Sequence, residues 1–277
     1  MTKTEIQEQI KEAVEKVKST TPLVPSITNT VTINLVANAQ LAAGGSAAMV
    51  YLPDEGEGMA EVGQAMYINM GTMFPIYAET LPRTARRLKE KNKPWVLDPV
   101  GIGIGALRTE ILREFKAMPP TIVRGNASEI IALANLWGLD SGVAKDGVRG
   151  VDATDSVATA KNSAIAVAKF IHGAVAVSGA IDLVTDGKLI AYSTGGSELF
   201  TKVTGAGCSL GGVTAVFAAV ASPFVGALTA VNAYNLAGTR AAEKTTAPAS
   251  FERAFIDELY LASAADISTN NFTVEEI

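Results

Sequence analysis

The chain has 277 residues, 48% of them hydrophobic and 18% charged, with a net charge of -5. That balance excludes a disordered chain, and the absence of a dense basic cluster argues against a nucleic-acid partner. A single cysteine excludes an internal disulfide framework and a cysteine-based zinc centre, and points to a reducing cytoplasm. At this length one large domain spanning 1–277 is the first expectation.

Residues 1–19 are charged and amphipathic, with Ile6, Ile10, Ala13, Val14 and Val17 at helical spacing, so they read as a helix and not a signal peptide. Beyond it, short apolar strands alternate with helical patterns. Strands are expected at 47–51, 65–69, 94–97, 121–123 and 174–177. Helices are expected at 32–43, 57–62, 75–91, 107–116, 128–136 and 153–171. This alternation reads as α/β, a mostly parallel central sheet with helices on both faces. A hairpin follows, 181–185 and 188–192 around Asp186-Gly187, a good turn pair. Three helices, 206–222, 224–244 and 250–263, close the chain, and the polar tail 266–277 is expected to fray. Residues 203–239 carry no charge and are long enough to span a bilayer. Pro223 splits the run, and Asn232, Tyr234 and Asn235 interrupt it. Two buried helices meeting near Ser222-Pro223 are expected, and no membrane segment.

Open α/β sheets bind ligands at the carboxyl ends of their strands. Asp98 ends one strand before Pro99; it reads as a turn residue or as a holder of a cation or substrate hydroxyl. Asn126-Ala127-Ser128-Glu129 opens a helix as a capping box, and the same residues can reach the waters of a magnesium ion. Arg124 just upstream is either a phosphate neutraliser or a surface cation. Gly205-Ala206-Gly207-Cys208 combines small residues with a helix start, which makes a nest of N–H groups for phosphate. The Cys208 thiol in that first turn is expected to have its pKa lowered by the helix dipole. It reads as a nucleophile, a proton acceptor or an inert core thiol. The only histidine, His172, precedes its strand and therefore lies at the wrong end for a Cys–His pair.

Seven segments, in order, carry a resemblance. They are Pro22-Leu23-Val24 with Ile27-Thr28-Asn29, Asn34-Leu35-Val36-Ala37-Asn38, Gly44-Gly45-Ser46-Ala47-Ala48-Met49, Asn69-Met70-Gly71-Thr72, Leu97-Asp98-Pro99-Val100-Gly101, Arg124 to Glu129, and Val203 to Cys208. The chain resembles the hydroxyethylthiazole kinases of thiamine salvage, members of the ribokinase-like superfamily. The resemblance implies a ribokinase-like three-layer sandwich. It also implies ATP- and Mg²⁺-dependent phosphorylation of the hydroxyl of 4-methyl-5-(2-hydroxyethyl)thiazole.

By resemblance, Met49 and Asn29 lie at the thiazole and Gly205 contacts it. Arg124, Ser178 and Asn126 serve ATP, and Gly205, Ala206 and Gly207 form the anion hole. Cys208 takes the place of a catalytic Asp, while Glu129, Asp98 and Asn126 belong to the metal site. The resemblance further implies a homotrimer with active sites between subunits, which the long uncharged helices suit. The chain departs from the pattern at Pro25-Ser26, where these kinases commonly have His-Cys or His-Asn, so a histidine near the thiazole is expected to be missing. Other small-alcohol kinases of the superfamily, for hydroxymethylpyrimidine or vitamin B6, and a non-catalytic thiazole or nucleotide sensor stand as alternatives.

Overall fold

The computed structural model describes residues 1–140 and 157–277. The elements run α1 (Lys3–Thr20), β1 (Leu23–Ile27), α2 (Ile33–Ala42), β2 (Ser46–Met49), α3 (Pro53–Val62), β3 (Met66–Asn69), α4 (Tyr77–Glu90), β4 (Trp95–Asp98), α5 (Ala106–Phe115), β5 (Ile122–Asn126) and α6 (Ala127–Leu136). After the undescribed stretch come α7 (Val157–Ile171), β6 (Ala174–Ser178), β7 (Asp182–Thr185), β8 (Leu189–Ser193), a 3₁₀ turn (Glu198–Lys202), α8 (Ala206–Ala218), α9 (Pro223–Lys244), α10 (Pro248–Leu261), α11 (Ala264–Thr269) and β9 (Phe272–Glu276). The start of the helix expected at 153–171 lies outside the described residues.

The strands form one sheet in the order β2-β1-β3-β4-β5-β6-β7-β8-β9. β2 through β6 pair in parallel, and β7, β8 and β9 are antiparallel. The central strands are buried on both faces, as parallel strands covered by helices must be. One face carries a core that includes Ile6, Val36, Val216, Val225, Phe251 and Ile267, from α1, α2 and α8–α11. The other carries Ala60, Leu81, Leu112, Ile130 and Val167, from α3–α7. The result is the expected three-layer sandwich.

Two differences from the expectations have physical causes. β1 contains Pro25, which lacks an N–H and argues against an interior strand. Its pairing with β3 begins only at Ser26, so the missing donor costs no ladder bond there. The tail 266–277 does not fray. Ser263 caps α11 by accepting from the Asp266 N–H, Phe272 is buried, and β9 pairs with β8 from Phe272 to Glu276. Without β9, β8 would present an unpaired edge. As expected, the uncharged run 203–239 forms two helices, with Pro223 in the first turn of α9. Both are consumed by the core of their own chain, so their lack of charge is no argument for a subunit interface. No helix among the described residues is long and apolar enough to cross a membrane.

Candidate active site

The carboxyl ends of β1, β3, β4, β5 and β6 point toward the start of α8. Topology therefore brings Asn29, Asn69, Asp98, Arg124, Asn126 and Ser178 to the edge where Gly205–Cys208 begins its helix. Gly205 has φ 93°, a left-handed conformation that suits glycine and turns the chain into α8. A Cβ at Gly207 would lie 2.8 Å from an Arg124 amino nitrogen, so the bare backbone lets the guanidinium lie directly against the helix start.

Arg124 is buried, so the surface-cation reading is overturned. It donates to Asp98 Oδ2 at 3.2 Å and to Ser178 Oγ at 2.9 Å. Burial works against its charge, but Asp98 and Glu129 outweigh that and hold the guanidinium firmly protonated. Asp98 is 0% exposed and accepts further bonds from the Tyr67 hydroxyl and the Asn69 amide. Burial, only partly offset by Arg124, pushes its carboxyl up to about 6.

Cys208 is half-buried in the first turn of α8, and its side chain interacts with Thr32 and Asn69. The expected lowering of its pKa does not occur. Burial, and then the Asp98 carboxylate, push the thiol up to about 11, overriding the helix dipole and the nearby Arg124. At neutral pH the group is a thiol.

Asn126 and Glu129 form the anticipated capping box. Asn126 Oδ1 accepts from the Glu129 N–H and the Ser128 hydroxyl, and Glu129 Oε2 accepts from the Asn126 N–H at 2.8 Å. Asn29 Oδ1 accepts from Thr72 Oγ1 and the Val31 N–H, which fastens the loop after β1 to the loop after β3. Met49 ends the sheet's edge strand β2 and is half-buried.

The departure at Pro25-Ser26 reads differently in three dimensions. Ser26 lies in register with Met49 on one side and Tyr67 on the other, and its hydroxyl donates to Gln40 of α2. Strand alternation turns Pro25 to the opposite face, toward Gly63. Ser26 therefore shares the Met49 face of the sheet, while Pro25 lies on the opposite one.

His172 is exposed at the amino end of β6, as anticipated. A cavity of about 550 Å³ lies there, lined in part by Lys169, His172, Lys188 and Pro223. It is at the opposite edge from the convergent polar groups, so the chemistry and not the volume marks the site.

Sequence reasoning assigned no role to Tyr67, Thr32 or Arg108. Arg108 donates to the carbonyls of Met70, Gly71 and Ile104, and so clamps the loops after β3 and β4 together. A tyrosine inside an apolar strand was the available signal for Tyr67; for Arg108 a helical pattern shows none.

Residues 14–264 match the Hydroxyethylthiazole kinase family. The chain belongs to that family. A hydroxyethylthiazole kinase of Bifidobacterium adolescentis is 51% identical, covering 95% of this chain and 92% of its own. Among solved structures, a hydroxyethylthiazole kinase protein from Pyrococcus horikoshii OT3 aligns with a TM-score of 0.85 at 32% identity, covering 98% and 99% of the two chains. The pyridoxal kinase of Staphylococcus aureus in complex with ADP aligns at 0.60 with 15% identity, over 92% and 99%, which shows a shared ribokinase-like fold. Hydroxyethylthiazole kinases are phosphotransferases acting on a hydroxyl group, and the family implies ATP as co-substrate.

Proposed function

We propose that the chain, as a single domain over 1–277, transfers the γ-phosphoryl group of ATP to the hydroxyl of 4-methyl-5-(2-hydroxyethyl)thiazole, with Mg²⁺. The observation that supports this best is the cradle at Gly205–Gly207 with Arg124 laid against it. Phosphoryl transfer asks mainly for positioning and charge neutralisation. Backbone N–H groups at the start of α8, the helix dipole and the Arg124 guanidinium meet the phosphoryl oxygens. Ser178 and Asn126 flank the nucleotide side, at paired positions on β6 and β5. Met49 and Asn29 line the acceptor side.

In the transfer, the acceptor oxygen forms a bond to γ-phosphorus as the bond to the β-phosphate oxygen breaks and ADP leaves, and the hydroxyl proton passes late to an oxygen of the transferred phosphoryl group. Cys208, protonated at rest, orients the hydroxyl and need not be a thiolate.

The donor set suits Mg²⁺. Asp98 Oδ1 is buried without a partner among the described residues, and the cap uses Oε2 of Glu129. Two carboxylate oxygens fit an ion that keeps most of its waters. The cap uses Asn126 Oδ1, so Asn126 serves the site by holding Glu129. Bound Mg²⁺ would neutralise phosphate charge.

A homotrimer with sites between subunits is supported by exposed apolar side chains in the segments that follow β1, β2, β3 and β4, namely Val31, Leu52, Phe74, Ile76 and Ile104. A cytoplasmic location is supported by the lone free thiol.

The test is an ADP-release assay with the thiazole alcohol, with hydroxymethylpyrimidine and pyridoxal as competing acceptors. Thiazole-dependent ADP formation is expected; its absence rejects the proposal. Light scattering in solution gives the mass, and a monomer rejects the trimer.

A further inference from the structure

The Asp98 carboxylate is used unevenly. Tyr67 donates its hydroxyl to Oδ2 at 3.0 Å, Asn69 its amide at 3.2 Å, and Arg124 an amino group at 3.2 Å. Oδ1 is equally buried and has no hydrogen-bond partner among the described residues. A carboxylate torsion is broad when unconstrained. Three donors converging on one oxygen remove that freedom and leave the other oxygen as the only open acceptor.

The donors are themselves fixed. Asn69 Oδ1 accepts from the Gly71 N–H at 2.9 Å, which sets the amide so that its NH₂ faces Asp98 and Tyr67. Tyr67 receives a 2.9 Å bond from that amide and lies beneath α8. A Cβ at Gly211 would come within 2.4 Å of the phenol ring, so the helix that forms the cradle rests on the side chain that orients the carboxylate. A tyrosine hydroxyl is neutral at physiological pH and therefore a donor.

We propose that Tyr67 is a positioning residue for phosphoryl transfer: with Asn69 it pins Asp98 so that Oδ1 is presented to the water of a divalent cation arriving with the nucleotide. The inference rests on the kinase reading above.

The experiment compares wild type with Tyr67→Phe. Mn²⁺ binding is measured directly by electron paramagnetic resonance with a non-hydrolysable ATP analogue, alongside half-saturating Mg²⁺ and KM for the thiazole. Because the partners of a metal site's ligands usually set affinity by 10–100-fold, Tyr67→Phe is expected to weaken Mn²⁺ binding about tenfold. Half-saturating Mg²⁺ should rise in step, with KM for the thiazole unchanged. In an Asp98→Asn background the Tyr67 substitution is expected to add nothing. Unchanged Mn²⁺ affinity, a change confined to the thiazole KM, or an equal loss in the Asp98→Asn background would each overturn the proposal. If Tyr67→Phe does not fold, Asn69→Ala removes a donor from the same oxygen, and unchanged Mn²⁺ binding there overturns it equally. A wild type that releases no thiazole-dependent ADP rejects the kinase reading and leaves the Mn²⁺ comparison to decide this one.

Discussion

Asp98 and Arg124 meet in a 3.2 Å ion pair closed to solvent, the carboxylate 0% and the guanidinium 9% exposed. Removing one member of such a pair strands the other charge. Arg124→Met, which keeps the apolar stem, is expected to lower unfolding free energy by about 3–5 kcal/mol in urea titrations. Phosphoryl transfer should be lost as well. An unchanged urea midpoint refutes the claim that the pair is a buried one.

The Cys208 thiol, pushed up to about 11 by burial and Asp98, should react slowly with iodoacetamide at pH 7 and speed up only in strong alkali. Cys208→Ser keeps a hydrogen-bonding group and is expected to retain most of the turnover. Cys208→Ala is expected to lower kcat/KM for the thiazole about tenfold, the size of one lost hydrogen bond. Rapid alkylation at neutral pH contradicts this account of the thiol.

Asp98, pushed up to about 6, binds its proton more tightly in the folded chain than in the unfolded one. For a raised carboxyl the sign is fixed. Its contribution to stability is fully present below the unfolded value and is lost as pH rises through about 6. Urea titrations of the ligand-free protein between pH 4 and pH 7 should show this component in wild type and not in Asp98→Asn. Identical pH slopes count against it.

Glu129→Gln can still accept the Asn126 N–H and keep the cap, but it loses the negative charge. Half-saturating Mg²⁺ is expected to rise at least tenfold, with thermal stability and the thiazole KM little changed. A chelator should abolish activity in wild type. Unaltered Mg²⁺ dependence in Glu129→Gln removes Glu129 from the metal site.

Phe272 is 1% exposed and anchors β9 against β8. Phe272→Ala is expected to cost about 3–5 kcal/mol in chemical denaturation. Deleting 270–277 should bare the edge of β8 and promote aggregation. A truncated chain that melts like wild type shows that the tail is dispensable.

Much of this was legible in sequence because local rules and tertiary needs agree. Apolar runs such as Trp95-Val96-Leu97 mark parallel strands, and Asn126 with Glu129 marks a helix start that the structure reproduces as a full capping box. The strand-end polar residues converge as open α/β sheets require. What escaped depends on neighbours that chain order does not reveal. β1 was hidden because Pro25 argues against an interior strand, yet it pairs with Ala48 of β2 and the bridges to β3 start one residue later, at Ser26. β9 was hidden because its polar residues pair with an edge created 80 residues earlier in the chain's antiparallel section. The Cys208 pKa turned on burial and on Asp98, and a helix position alone reports neither.

The sheet order separates two tasks. On the proposed reading, the side chains that serve ATP and the metal, Asp98, Arg124, Asn126 and Ser178, hang from β4, β5 and β6 in the middle of the sheet, where each strand has neighbours on both sides. Met49 hangs from β2, at the rim. Replacement at a rim strand disturbs few packed neighbours, while replacement in the middle disturbs two helical layers at once. On that reading acceptor preference is free to diverge at Met49 between descendants of such a chain, while the groups proposed to serve ATP stay locked in place.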